Sequence, residues 1–370
     1  MDFELRLAEQ ADEADIRQLL VANPMPGPIA LNYLREPDYF LGCGTVGPFS
    51  QILMGRHRPD GALVGIMGRS SCPLFVNGRE QEVGYYSQLR IDKRFQGRWL
   101  QLAPQGYRWF KKLHEDNRVQ GYIASIIEGN TKPVGLFVDR PRPGNPAMRP
   151  YCRLRTLAII VRWPLPVIND EIQVCRGTAG ELPEIIEFLR LHGSKKQFFP
   201  CYTEEDFSGS PRTRGFDVKD FLLARRNGKL TGVIGLWDQS DCRQIVIQNY
   251  SWPLNWLRRP CNLGLRLLGA RPLPPPGEQL RMAYASFICI ENNDARIFSI
   301  LLRHAHNLAS LRGFAYLMVG LTENDPLLVP ARKLLNIAYK SILYTICWDD
   351  AAGWHSNLDS RIPYIEIAAL

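Results

Sequence analysis

In the run Leu89-Arg90-Ile91-Asp92-Lys93-Arg94-Phe95-Gln96-Gly97-Arg98-Trp99-Leu100, the cations Lys93, Arg94 and Arg98 surround a single glycine. Residues 86–91 alternate as a strand does, and residues 100–113 carry helical spacing. A strand that turns directly into a helix leaves the first backbone N–H groups of that helix without partners. Those donors, with the positive end of the helix dipole behind them and cations beside them, suit a phosphate or pyrophosphate. An ordinary strand-to-helix connection without a ligand is the competing reading.

The elements around this turn occur twice. Residues 3–8 alternate like a strand, and residues 11–20 follow with helical spacing behind Asp12, a good N-cap type. Pro24, Pro26, Gly27 and Pro28 then break the chain. Asp60-Gly61 reads as a turn feeding a strand over 62–68, and Asn77-Gly78 as a second hairpin turn leading into residues 82–91. Further on, residues 172–176 read as a strand and residues 179–191 as a helix. Asn227-Gly228-Lys229-Leu230-Thr231-Gly232-Val233-Ile234-Gly235 then matches residues 60–68 position by position. Gly121-Tyr122-Ile123-Ala124-Ser125-Ile126-Ile127-Glu128-Gly129-Asn130 is echoed by residues 315–324, ending in Asn324.

The second copy is longer, and its surplus lies in residues 252–276, rich in Trp, Arg and Pro. Trp252, Trp256 and Leu257 beside Arg258 and Arg259 would form a membrane-surface patch on a helix. Pro260 and Gly264 oppose that helix, so the expectation is an insertion packed onto the protein. A duplicated order with one lengthened loop predicts two tandem domains, 1–166 and 167–370, joined near Trp163-Pro164-Leu165-Pro166.

With 370 residues, 45% hydrophobic and 22% charged, the chain has an ordinary globular composition and room for two cores. No apolar run is long enough to span a bilayer, and the N-terminus carries no secretory pattern, so a cytoplasmic location is expected. The nine cysteines include no CxxC pair and the six histidines do not cluster, so neither a metal site nor a disulfide framework is signalled. A net charge of +8 fits nucleic acid, an anionic surface, an anionic cofactor or a solvated exterior, but no nucleic-acid-binding motif accompanies it.

The order strand, helix, hairpin, strand, phosphate-type turn, helix, strand ending in Asn resembles the GNAT acyltransferases. The resemblance covers most of residues 3–163 and, more loosely, 171–367. The family signature Q/R-x-x-G-x-G/A appears as Arg94-Phe95-Gln96-Gly97-Arg98-Trp99, with Trp where a small residue is usual. This resemblance implies an α/β (α+β) fold of two tandem GNAT-like domains, each a mixed, mostly antiparallel sheet flanked by helices. It also implies acetyl-CoA or another acyl-CoA as cofactor, with N-acyl transfer to an amine on a small molecule or peptide. Arg94, Phe95, Gln96, Gly97, Arg98 and Trp99 would cradle its pyrophosphate. Leu89, Arg90 and Ile91 would face the pantetheine arm, and Asn130 would contact the cofactor or cap the next helix.

Acyl transfer needs a group to take the ammonium proton and a donor for the departing thiolate. The family's usual donor tyrosine is replaced by Phe137. Tyr86, Tyr85 or Tyr107 could substitute. Glu82, where family members carry a basic carboxylate, and Glu128, at a strand end, are the candidate bases. The second copy has Glu291-Asn292-Asn293-Asp294-Ala295-Arg296 at the turn, without glycine and with two carboxylates, which predicts a half that keeps the fold without the coenzyme. The competing functions are a GNAT-fold ligand-binding protein without catalysis and an aminoacyl transferase linked to tRNA.

Overall fold

The computed structural model describes residues 2–130, 135, 138, 144–167, 171–348, 351 and 353–370, apart from the side chains at positions 99 and 100. Phe137 and the Trp99 side chain therefore lie outside the described residues. The first half runs β1 (Phe3–Leu7), α1 (Glu13–Ala22), β2 (Ile29–Leu34), β3 (Phe49–His57), β4 (Leu63–Val76), β5 (Arg79–Ile91), α2 (Trp99–His114), β6 (Tyr122–Ile127) and β7 (Ala147–Ile160). The second runs β8 (Ile172–Arg176), α3 (Leu182–Gly193), β9 (Phe221–Arg226), β10 (Lys229–Trp237), β11 (Gln244–Tyr250), α4 (Trp252–Leu267), β12 (Met282–Ile290), α5 (Ala295–Leu311), β13 (Tyr316–Thr322), α6 (Leu328–Arg332) and β14 (Asn336–Cys347).

The duplication is visible in the pairing. The β3–β4 and β9–β10 hairpins both turn through left-handed backbone, at Gly61 and at Asn227-Gly228. β5 pairs parallel with β6, as β12 does with β13. The two sheets are joined into one of twelve strands, ordered β1-β3-β4-β5-β6-β14-β7-β13-β12-β10-β9-β8. The last strand of the second half, β14, lies between β6 and β7 of the first and pairs antiparallel with both. β2 and β11 leave this sheet and form a two-stranded ribbon, one strand from each half, with Asn32 Nδ2 donating to Gln248 Oε1 at 2.9 Å.

Helices cover both faces because their apolar stripes demand it. Ile16, Leu19 and Leu20 of α1 pack on Ile52, Met54 and Ile66. On the other face, Phe110 of α2 packs with Leu53, Tyr86 and Tyr122. In the second half, Ile297, Phe298 and Leu301 of α5 join the largest core cluster with Val233 and Ile234. No helix among the described residues is long and apolar enough to cross a membrane.

The surplus of the second copy departs from expectation. α4 is continuous through Pro260 and Gly264, and none of its residues is fully buried. Trp252 and Trp256 are 76% and 71% exposed, so the insertion does not pack them away. An exposed helix tolerates a proline by giving up one backbone bond on its wet side.

Candidate functional site

β5 and β6 touch only briefly. Their parallel ladder is confined to Gly84↔Tyr122 and Tyr85↔Ile123. A Cβ on Gly84 would lie 2.0 Å from Tyr122 Cδ1, so only glycine allows this approach. Beyond it, Gln88 takes φ of 56° and the register of β5 slips against β4, a bulge that turns β5 away from its neighbour. The strands part, and the gap opens into a cavity of about 590 Å³ that passes from α2, through the sheet, to the β2–β11 ribbon.

The α2 side fits the coenzyme expectation in part. Leu89, Arg90, Ile91, Tyr86 and Asn130 line the cavity. Residues 93–98 form a single 3-10 turn leading into α2. Phe95 does not face a ligand: it is buried against Phe3 and His57 and anchors the turn. Arg94 folds back, its backbone N–H donating to Asp92 Oδ1 at 2.8 Å and its Nε at 3.0 Å. Burial works against the Asp92 charge, yet Arg94 holds that carboxyl below its usual range. The amides of Lys93 and Phe95 are also taken, by Asn23 Oδ1 and the Asp92 carbonyl. Lys93, Arg94, Gln96, Gly97 and Arg98 are exposed on the turn, and the amides of Lys93 and Arg94 are already spent. A Cβ on Gly97 would meet nothing within 4 Å, and the same holds for Gly106, which lines the cavity from α2. Neither glycine is required by the packing, and both leave room on the side a coenzyme would approach.

Behind Tyr86 sits a buried polar relay. Its ring stacks on Tyr122 with centroids 4.2 Å apart, and burial pushes its phenol well above the ordinary value. The Tyr122 oxygen accepts from Arg69 Nε at 3.1 Å and lies 3.0 Å from His114 Nδ1. Arg69, only 1% exposed, is closed by a bidentate pair with Asp116 at 2.7 and 2.9 Å.

The two expected bases are not at the cavity. Glu82 accepts from Ser71 Oγ at 2.5 Å and lies outside the lining, four residues before the splay begins. Glu128 points to the surface, 3.7 Å from Lys340 Nζ. No Asp, Glu or His among the described residues lines the cavity at all; its ionisable side chains are tyrosines and arginines, and Leu370 also lines it. Burial pushes Tyr85 up to about 12 and raises Tyr33 and Tyr284 as well. Tyr33, Arg35, Arg243 and Tyr284 had no signature in the sequence, because strands from the two halves bring them together only in the folded chain.

The second copy of the site is closed. Asp294 caps α5, its carboxylate accepting from the amides of Arg296 at 2.8 Å and Ile297 at 3.3 Å, so a carboxylate already occupies the place an anion would take at this helix start. The bulge recurs at Phe287, with φ of 55°. Its amide donates to Glu366 Oε2 at 2.8 Å, that of Ile288 donates to Tyr364 Oη at 3.1 Å, and Ile367 fills the space beside Gly320. The C-terminal segment therefore plugs this splay, where the first half leaves a cavity.

No protein-family model matches the sequence, and no curated protein does. Solved structures do match the fold. Saccharomyces cerevisiae N-myristoyltransferase with bound myristoyl-CoA superposes with a TM-score of 0.62 at 11% identity, over 94% of this chain and 79% of that one. A GCN5-related N-acetyltransferase from Sphaerobacter thermophilus gives a TM-score of 0.56 at 13% identity, over 99% and 98%. Both are GNAT-superfamily structures, and the chain has their fold.

Proposed function

We propose that this GNAT-fold chain is an acyl-CoA-dependent N-acyltransferase whose donor site lies in residues 1–166. Residues 167–370 supply the opposite wall. The observation that carries this reading is the open β5–β6 splay, with its 590 Å³ cavity, beside a turn whose Gly97 leaves its outer side free. Gln96, Gly97 and Arg98 would hold the pyrophosphate, and Ala103 and Gly106 would give passage to the thioester arm. An apolar lining that includes Met67, Phe110 and Met148 supports an acyl chain longer than acetyl.

In the reaction the coenzyme supplies an activated acyl group. The amine nitrogen bonds to the acyl carbon and the carbon–sulfur bond breaks. With no Asp, Glu or His side chain among the described residues in the lining, the ammonium gives its proton to solvent before entering. Tyr86, held neutral by burial on the α2 side, then gives its proton to the leaving sulfur and regains one from the nitrogen as the amide forms.

The same lack of a base is what favours the second reading, a GNAT-fold binding protein without turnover. Isothermal titration with acetyl-CoA and myristoyl-CoA tests the site: Gly97→Glu should abolish binding to a correctly folded protein, and equal affinity for both proteins would refute the assignment. Thiol release across an amine panel then separates the enzyme from the binding protein, which would bind the coenzyme and release nothing.

A further inference from the structure

The wall of the cavity opposite α2 carries three arginines. Arg35 follows β2, Arg90 lies near the end of β5 and Arg243 precedes β11. Arg35 is 3% exposed; its Nη1 reaches Cys43 Sγ at 2.9 Å, and its Nη2 has no hydrogen-bond partner. Arg90 Nη1 donates to the carbonyl of Leu89 at 3.0 Å. Arg243 donates to Gln239 Oε1 at 3.2 Å, to the carbonyl of Ala368 and to the carboxylate oxygen of Leu370, the last residue of this sequence. Among the described residues neither Arg35 nor Arg90 pairs with a carboxylate, and the charge of Arg35 adds repulsion to the burial that lowers Arg90 and Arg243.

A guanidinium taken out of water without a counter-charge is strongly unfavourable, and two together more so. Such a group is stable in function when a ligand supplies the missing anion. The wall is also the wrong one for the coenzyme's phosphates: Gln96, Gly97 and Arg98 sit exposed at the α2 mouth, whereas Arg35 is buried against the α1 side beside Tyr39. The planar guanidinium fork matches a carboxylate in bidentate geometry.

Building on the acyltransferase reading, we propose that the acceptor is an amine that also carries a carboxylate, bound by Arg35, Arg90 and Arg243. Amino acids with apolar side chains are the class that fits the charge and the apolar lining. The product would be an N-acyl amino acid. The probes are N-acetyl-L-leucine and its neutral amide, titrated calorimetrically into wild type, Arg35→Met and Arg35→Lys, with coenzyme A as a separate titrant. The acid should bind at least tenfold tighter than the amide; Arg35→Met should erase that preference, Arg35→Lys should keep part of it, and coenzyme A affinity should change less than twofold. Equal binding of acid and amide to the wild type, or no binding of either, overturns the proposal. A parallel loss of coenzyme A affinity in Arg35→Met overturns it too, by assigning the arginines to the donor, and leaves the acyltransferase reading intact. Failure of wild type to bind coenzyme A would sink the acyltransferase reading, while an acid preference would still identify the carboxylate site.

A different observation carries a second inference. On α4, Trp252, Trp256, Leu263 and Leu267 fall within one stripe at helical spacing, and all are more than 60% exposed. Exposed Arg259 and Arg266 border it, while Leu254 and Arg258 face inward, the latter over the Tyr250 ring at 5.4 Å. A helix with one face packed and an outward stripe of Trp and Leu flanked on one side by arginines matches an anionic lipid interface in shape and charge. We infer that α4 docks on anionic membrane surfaces. The full chain should co-sediment with phosphatidylcholine vesicles containing phosphatidylserine, more weakly without it or at high salt, and Trp252→Ser/Trp256→Ser should lose at least tenfold in binding. Vesicle binding that is absent or unchanged in the double variant overturns the inference, as does self-association through α4 in analytical ultracentrifugation.

Discussion

Gly106 separates stability from ligand binding more cleanly than any other position. It stands inside α2, where glycine is less favourable than alanine by ~1 kcal/mol. A Cβ there meets no atom within 4 Å. Gly106→Ala should therefore stabilise the fold by roughly 0.5–1 kcal/mol in chemical denaturation, with no repacking to offset it. Gly106→Leu gains a similar helix term but sends its side chain into the cavity that Gly106 lines. Acyl-CoA affinity in titration calorimetry should then fall at least tenfold, about 1.4 kcal/mol, in a protein no less stable than wild type. Gly121→Ala is the contrasting case: its Cβ would sit 2.4 Å from the Trp354 ring, so it should lose roughly 1–3 kcal/mol. Unchanged acyl-CoA affinity in a folded Gly106→Leu, or a loss of stability as large as that of Gly121→Ala, would refute the cavity assignment.

Two further outcomes follow from the buried polar groups. Tyr122→Phe keeps the ring stacked on Tyr86 but leaves Arg69 Nε without its acceptor, so urea denaturation should show a loss of roughly 1–3 kcal/mol; a loss within error would mean the relay contributes nothing. Burial raises the Glu366 carboxyl above its usual range, although the Phe287 amide and the Tyr364 hydroxyl oppose this. The native state then holds that proton more tightly than the unfolded chain. Its contribution is complete below the ordinary carboxylate pKa of about 4.3 and is lost as pH rises through the raised value. Glu366→Gln retains an acceptor for the Phe287 amide without titrating, so its stability relative to wild type should increase as pH rises from roughly 4 to 7. A difference that stays constant over that range would show that Glu366 ionises normally.

The parts of the molecule that were legible in the sequence depend on neighbours in the chain. Asn77-Gly78 and Asn227-Gly228 announce their hairpins because left-handed backbone favours those residue types, and the turn before α2 follows from strand and helix spacing on either side of Gly97. A carboxylate's role is harder to read. Glu82 and Glu128 have suitable chemistry, but one sits before the splay and the other points to solvent, and no local pattern reports that. Arg35 and Arg243 meet because β2 and β11, one from each half, pair in the folded chain. For α4, proline was weighed as a helix breaker, whereas an exposed helix accommodates it.

The position of β14 has a consequence for how the chain is made. Until residues 336–347 have been synthesised, β6 and β7 have no strand to bridge them, and their facing edges stay unsatisfied. At ~5–20 residues per second, the interval after β7 emerges lasts roughly ten to thirty seconds. Throughout it the first half exposes bare edges on β6 and β7 that could recruit strands from other nascent chains. The sheet and its last strand thus reach completion together, and a ribosome-released fragment ending before Asn336 would be a template for aggregation rather than a smaller folded domain.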